Sequence, residues 1–214
     1  MNNKNIILGI TWFAQKHYII IFDINNKILF YSYTKSQYAD DIYSKMNYLF
    51  VKQHFNINKI KYIALSYNIN SFTDTRIYYT IAYSLAQVLN IKIIDVNILD
   101  VMIQYFNIEK NHENKNIIPC IFINKKNTIY CYKDNNYILL ENINKLKNNI
   151  KIIFQTDVKY IKNQKKNIFL IKNKLKYIKT FIKTIIKYIL TNKYYSKDNT
   201  FPRYIETIKF LKIK

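Results

Sequence analysis

Glycine occurs once in 214 residues, as Gly9, and proline twice, as Pro119 and Pro202. A phosphoryl-transfer enzyme needs carboxylates to hold Mg²⁺ and glycine-rich loops to admit phosphates. One glycine cannot build such loops. The carboxylates Asp40, Asp41 and Asp74 fall at predicted helix starts, where they compensate the helix dipole. Arginine is nearly as scarce, with Arg76 and Arg203 the two among 34 basic residues. Cys120 and Cys131 lack C-x-x-C spacing and a nearby histidine. They read as small apolar strand residues in a reducing compartment, not as metal ligands or a disulfide. His17, His54 and His112 are too scattered for a metal pair and read as one strand residue and two loop residues. Neither cysteine has a sequence-local partner that would activate it as a nucleophile. No uncharged stretch reaches the length of a membrane span. The apolar run from Ile6 to Ala14 is followed by Gln15-Lys16-His17, which is no signal-peptide cleavage region.

What the chain does contain is lysine, isoleucine, asparagine, tyrosine and phenylalanine in every segment. Half the residues are apolar, enough for one or two modest domains with a real core. The formal net charge of +21 invites a nucleic-acid reading. However, the abundant residues share AT-rich codons, while Gly, Pro, Ala and Arg have GC-rich ones. An AT-biased genome yields this lysine excess without selection for a partner, though lysines can still steer RNA.

Periodicity predicts strands at Ile6-Ile10, His17-Phe22 and Ile28-Tyr33, with a tight turn at Asn25-Asn26. A helix follows from Tyr38 to Lys52, with Ile42, Met46, Leu49 and Phe50 on one stripe. Next come a strand at Tyr62-Leu65, a helix from Asp74 to Leu89, a strand at Ile91-Val96 and a helix from Ile98. Residues Asn111-Asn116 read as a connection into a second half. There Ile117-Ile123, Thr128-Tyr132, Tyr137-Leu140 and Ile150-Phe154 are candidate strands, with a turn at Lys125-Lys126-Asn127. A helix at Tyr177-Leu190 and a short element after Phe201-Pro202 close the chain. Three strands, helix, strand, helix, strand, helix is the order of a ribonuclease-H-like half-unit, a mixed sheet with helices on its faces.

The most informative stretch is Asn70-Ser71-Phe72-Thr73-Asp74-Thr75-Arg76-Ile77, between a buried strand and a helix N-terminus. It resembles the signature loop of the bacterial TsaB (YeaZ-like) family, Gly-Pro-Gly-Ser-Phe-Thr-Gly-hydrophobic-Arg-Ile-Gly. Ile7-Leu8-Gly9-Ile10 resembles the family's opening strand, and Ile93-Ile94-Asp95-Val96-Asn97 the strand after the signature helix. Pro119-Tyr132 is similar to its Ile-Asp-Ala-Arg hairpin, and Phe201-Pro202-Arg203-Tyr204-Ile205 to its C-terminal Pro-x-Tyr motif. The resemblance implies an α/β fold of two ribonuclease-H-like lobes of the actin/sugar-kinase/Hsp70 superfamily. The first lobe, 1–106, would be complete and the second, 107–214, reduced.

It further implies a non-catalytic, cytoplasmic scaffold without cofactor. Such a subunit pairs with TsaD, supports recruitment of TsaE, and serves threonylcarbamoylation of adenosine in tRNA. Contact with tRNA inside the complex, and a homodimer when the chain is alone, belong to the same expectation; a membrane does not. In the family two helices from each partner form the joint, and here they match Tyr38-Lys52 and Asp74-Leu89. The expected partner residues are Tyr43, Asn47, Arg76, Tyr78, Tyr79, Ala82, Tyr83 and Ala86; the signature loop is Asn70, Ser71, Phe72, Thr73 and Arg76. An exposed Tyr79-Tyr83-Ala86 strip would suit an interface.

The departures are in the glycines. Ser66, Asn68 and Asn70 precede the loop and Asp74, Tyr78 and Thr80 follow, where the family has small residues. Asparagine is the least costly substitute where φ is positive. The superfamily's phosphate-loop aspartate reads as Thr11, and the hairpin's Asp-Ala-Arg as Ile123-Asn124-Lys125. Two other functions fit parts of the pattern: a lysine-rich RNA-binding module without a dedicated protein partner, and a small-molecule kinase. The stripe Lys179, Lys183, Lys187 on Tyr177-Leu190 fits a core-packed helix with a solvated lysine face; a membrane-surface helix is the alternative.

Overall fold

The computed structural model describes residues 5–13, 16–34, 41–52, 54–67, 72–110, 117–123, 128–133, 136–140, 151–154, 168–171, 173–192 and 211–212. Strands β1 (Ile6–Phe13), β2 (Lys16–Asp23) and β3 (Ile28–Tyr33) form an antiparallel meander, joined by β4 (Ile60–Tyr67) and β5 (Lys92–Asn97) in parallel. Their spatial order is β3-β2-β1-β4-β5. The five strands anticipated in the first half are all present; β1, β2 and β4 run two to four residues longer because their flanks also pair, β3 has the anticipated bounds and β5 is shifted by one residue.

Helices α1 (Asp41–Asn47), α2 (Phe72–Leu89) and α3 (Ile98–Lys110) occupy the crossovers. The helix anticipated over Tyr38-Lys52 is shorter. It is α-helical only to Asn47 and widens into a π-helical turn over Tyr48–Lys52; residues 38–40 lie outside the described ones. A second sheet follows, with order β10-β9-β6-β7-β8-β11. Its strands are β6 (Ile117–Ile123), β7 (Thr128–Lys133), β8 (Asn136–Leu140), β9 (Lys151–Phe154), β10 (Ile168–Leu170) and β11 (Leu211–Lys212). Neither β10 nor β11 is visible as a sequence pattern, since runs of three and two residues carry no period. Helix α4 (Lys174–Leu190), capped by the Asn173 side chain accepting from Lys176 N at 3.0 Å, precedes β11. The hairpin turn at residues 125–127 and the motif at 201–205 lie outside the described residues.

Residues directly opposite on neighbouring strands share a sheet face, so the registers sort the core into two sides. Gly9 lies opposite Ile20 and Ala64, and helix α4 crosses this face. A Cβ placed on Gly9 would lie 3.2 Å from Phe181 Cε1 and 3.3 Å from Phe22 Cε1. Phe13, on the same face, stacks on Tyr177 of α4 with ring centroids 4.3 Å apart. Thr184 Oγ1 donates to Gln104 Oε1 at 3.0 Å and Tyr188 Oη to Asp100 Oδ2 at 2.7 Å, fastening α4 to α3. Although α4 belongs to the second half of the chain, it packs on the first sheet. Its buried stripe of Tyr177, Ile178, Phe181, Ile182 and Ile185 leaves Lys179, Lys183 and Lys187 exposed, the core-packed arrangement.

Turns that ordinarily take glycine take asparagine. Asn26 has φ 64° in the β2–β3 turn, where Asp23 Oδ1 also accepts from Asn25 N and Lys27 N. Asn90 has φ 52° at the end of α2, with Ile91 N bonded to Ala86 O at 3.0 Å, the six-to-one bond of a Schellman cap. Asn192 repeats φ 52° after α4.

The Gly9 contact generates a test. Both opposing rings are fully buried, so a side chain at position 9 must displace packed aromatics. Gly9→Val is expected to cost about 1–3 kcal/mol in urea unfolding, and Gly9→Val with Phe181→Leu to recover part of it. Wild-type stability of the single variant would show that α4 does not pack this tightly.

Candidate functional site

The carboxyl ends of β1, β4 and β5 and the start of α2 converge where open α/β sheets carry their sites. Asn70 and Ser71 lie outside the described residues; α2 begins at Phe72, and Thr73 and Arg76 are exposed in its first turns. The next turn faces inward. Tyr78, 1% exposed, brings its hydroxyl within 2.6 Å of His17 Nδ1 and 3.4 Å of Thr11 O. A phenol carries one proton, so either it serves Nδ1 or the imidazole donates while the phenol turns to Thr11 O. The two rings meet edge-on, 5.7 Å apart and 83° inclined. His17 is further held through Thr34, whose Oγ1 accepts from His17 N at 3.2 Å. Beside it, Tyr79 Oη donates to Asp95 Oδ2 at 2.6 Å. Ala82 and Ala86 complete the inner face, and being small they let the helix settle close to the sheet.

This corrects the expected partner surface. Tyr78, Tyr79, Ala82 and Ala86 are buried against the protein's own sheet, and the Tyr79-Tyr83-Ala86 strip is not an exposed one. Tyr78 and Tyr79 bury their rings and bring their hydroxyls to His17 and Asp95, so they hook α2 down. Tyr43, Asn47, Arg76 and Tyr83 do face outward. With them are residues that sequence reasoning missed: Tyr48 at 48% exposure, Val51 at 56% and Val88 at 83%. Tyr48 and Val51 were obscured by the π-helical turn, which rotates them off the α-helical stripe. Val88 was visible as an apolar residue out of phase with Ile77, Ile81, Leu85 and Leu89.

The polar groups at the strand ends are mostly committed. Asn97 Oδ1 accepts from Leu99 N at 3.0 Å and caps α3. Asp23 serves a turn, and Asp100 receives Tyr188. Thr11 Oγ1 and Ser66 Oγ are buried without a hydrogen-bond partner. Among the described residues no three His, Cys, Asp or Glu side chains gather as a metal set.

On the opposite sheet face, Lys174 at the start of α4 lies over an aromatic trio. Its Nζ is 3.7 Å from the Tyr33 ring centroid, 5.0 Å from Tyr18 and 5.5 Å from Tyr31; Lys16 Nζ is 4.7 Å from Tyr33. Burial, then the neighbouring Lys16, lowers the Lys174 pKa. Burial, then Tyr33 and Tyr31, raises that of Tyr18 to about 12. The cluster pins the first turn of α4 to the β2–β3 edge.

No protein-family model matches the chain, and no curated protein does. Solved structures share this mixed α/β fold. YeaZ from Pseudomonas aeruginosa superposes with a TM-score of 0.66 at 12% identity, covering 94% of this chain and 100% of that one. A structure described as an uncharacterized protein with similarity to peptidase YEAZ, from Pseudomonas aeruginosa, gives 0.67 at 12% identity, with 94% and 99% covered. Among the described residues no helix is long and apolar enough to cross a membrane.

Two measurements check the site. Tyr78→Phe removes the phenol that faces buried His17 and is expected to cost about 1–3 kcal/mol in chemical unfolding; no loss would mean that the 2.6 Å contact is incidental. Tyr18 is protonated in both states below its ordinary pKa of 10.0. Between there and about 12 the unfolded chain has lost a proton that the folded chain keeps, so stability falls as pH rises. Lys174 works in the opposite direction, but only below its ordinary value of 10.5. Above that, Tyr18→Phe is expected to flatten the alkaline decline in melting temperature, and an unchanged slope would refute the assignment.

Proposed function

We propose that this protein is a non-catalytic, cytoplasmic scaffold subunit of the tRNA threonylcarbamoyladenosine machinery. It docks a TsaD-type partner on the outward faces of α1 and α2 and supports recruitment of a TsaE-type ATPase. The observation that carries this reading is end-to-end structural likeness to YeaZ, over 94% of this chain and 100% of that one. Helix α1 packs on β2 and β3, and α2 on β4 and β5. Their outward residues include Tyr43, Tyr48, Val51, Tyr83 and Val88. Exposed tyrosines on a rigid helix are what interface centres use, since they bury large area at small entropic cost. Arg76, at the first turns of α2, is an unusual cation near a helix N-terminus. It is assigned the role of bracing the loop against the partner through its planar fork.

The proposed division of the chain at residues 106 and 107 falls inside α3, and α4, from the second half, packs against α3 and β5. Thr11 in place of an acidic residue argues for support of a reaction and not for its catalysis.

Co-expression with the TsaD-type protein of the same genome tests the proposal. The wild-type chain is expected to co-purify with it, and Tyr43→Ala with Tyr83→Ala to weaken affinity at least about tenfold, or ~1.4 kcal/mol. Circular dichroism should be unchanged, because both side chains point away from the core. Arg76→Lys is expected to weaken the complex measurably. A chain that ignores the TsaD-type protein but binds tRNA with a steep salt dependence would instead be an RNA-binding module.

A further inference from the structure

Strand β3 ends the first sheet, and its residues alternate between half-buried and exposed along its whole length. Tyr33 lies opposite Tyr18, and Tyr31 opposite Ile20, which in turn lies opposite Gly9. Both tyrosines therefore share the face that α4 crosses. The helix reaches this edge through Lys174 in its first turn, yet Tyr31 stays 46% exposed and Tyr33 37%. Two residues apart on one strand, the rings start about 7 Å from each other. That is about twice the 3.4 Å rise between stacked bases.

Two ammonium groups stand over these rings. Lys174 Nζ and Lys16 Nζ share Tyr33, at 3.7 and 4.7 Å from its centroid. Among the described residues neither lysine has a carboxylate partner, and the charge that weighs on Lys174 is that of Lys16. Cations crowded over one ring repel each other, and attraction to the ring offsets this only in part. Anchoring of α4 accounts for Tyr18, which is 2% exposed, and for Tyr33. It does not account for Tyr31. That ring is the farthest of the three from Lys174, at 5.5 Å, and the most open to solvent.

We propose that this edge is a stacking platform for a single-stranded nucleic acid. Tyr31 receives an unpaired base on its open ring, and Lys16 and Lys174 take the phosphates on either side of it. Each ammonium then gains an anion, which relieves their repulsion. The net charge of +21 attracts any polyanion, but only unpaired bases offer a π-face to a tyrosine. A duplex hides those faces, and its base spacing is half that of the rings. The platform stands apart from the docking proposed on α1 and α2. Tyr79 of α2 reaches Asp95, which pairs with Leu65, one residue out of phase with the Gly9–Ala64 pair. Helix α2 therefore covers the other face of the sheet.

The test is fluorescence anisotropy of the purified full-length chain with labelled oligoadenylate of about ten nucleotides, as RNA and as DNA, beside a duplex of the same length. Both single strands are expected to bind, since neither the stack nor the ion pairs use the 2′-hydroxyl, and at least about tenfold tighter than the duplex. Tyr31→Ala should weaken single-strand binding about tenfold, whereas Tyr31→Phe should keep it. Lys16→Gln with Lys174→Gln should reduce the log–log salt slope by about 1.4, for two phosphate contacts. Lys179→Gln with Lys183→Gln removes the same charge from the exposed face of α4 and should leave the affinity within about twofold. An equal loss in that control, equal binding of the duplex, or an ineffective Tyr31→Ala would overturn the platform. So would Tyr31-dependent binding to phosphatidylglycerol vesicles without binding to the oligonucleotides. Should a lysine variant fail to fold, photocrosslinking of the wild type to a 4-thiouridine strand decides the matter. The tryptic peptide 28–35, which holds Tyr31 and Tyr33, should carry the crosslink, and crosslinks confined to other peptides would refute the site. Tyr31→Ala should still co-purify with the TsaD-type protein, so either proposal can fail without the other.

Discussion

The first sheet owes its completeness to the crossing of α4 over β1 at Gly9. At that point helix and strand approach so closely that a Cβ would sit 3.2 Å from a ring carbon of Phe181. Ala64, opposite Gly9 on β4, is the next smallest residue and is fully buried too, so the groove for the helix is cut by two absent side chains. Around it, Phe13 stacks on Tyr177 and the Tyr177 hydroxyl reaches Trp12 O at 3.4 Å, across 165 positions of chain. The first strand therefore cannot acquire its native cover until the last long helix arrives, which makes this a contact of high sequence separation in folding. The bonds from Thr184 and Tyr188 to α3 fix the helix along its length.

That constraint explains why one glycine survives in a chain that has shed the rest. Glycine serves two distinct physical needs: positive φ, and close approach without a Cβ. The first can be met by asparagine at modest cost, because its short polar side chain tolerates the left-handed region. Asn26, Asn90 and Asn192 do so, and asparagine is among the residues this composition favours. The second need has no substitute. An added methyl group at position 9 would press on two packed rings at 3.2 and 3.3 Å, which must give by a few tenths of an ångström wherever its codon comes from.

The first five strands were legible in the sequence as short apolar runs bounded by polar residues, with alternation only in β3, and α2 was legible by its apolar helical period. The inner face of α2 was not. Ile77, Ile81, Leu85 and Leu89 gave the period, yet they are only partly buried, while Tyr78, Tyr79, Ala82 and Ala86 face the sheet. Ordinary hydrophobicity ranks isoleucine above tyrosine. Here hydrogen bonding decided, since His17 and Asp95 lie in apolar strands and are buried. Buried polar groups need partners, so two polar residues amid isoleucines were the sequence signal that tyrosines on a facing helix would turn inward.

A helix fastened this way has divided duties. Its inner residues are constrained by hydrogen-bond geometry as well as by volume. Its outer residues, Thr80, Tyr83, Gln87 and Val88, are exposed. Had the tyrosine hooks been absent, small residues would be required on both sides to seat the helix between its own sheet and a neighbour. With the hooks in place, the outer surface can carry tyrosine and valine while the backbone stays where the strands put it. A fold shared with YeaZ at 12% identity is compatible with that separation, since packing on the sheet uses one face of α2 only.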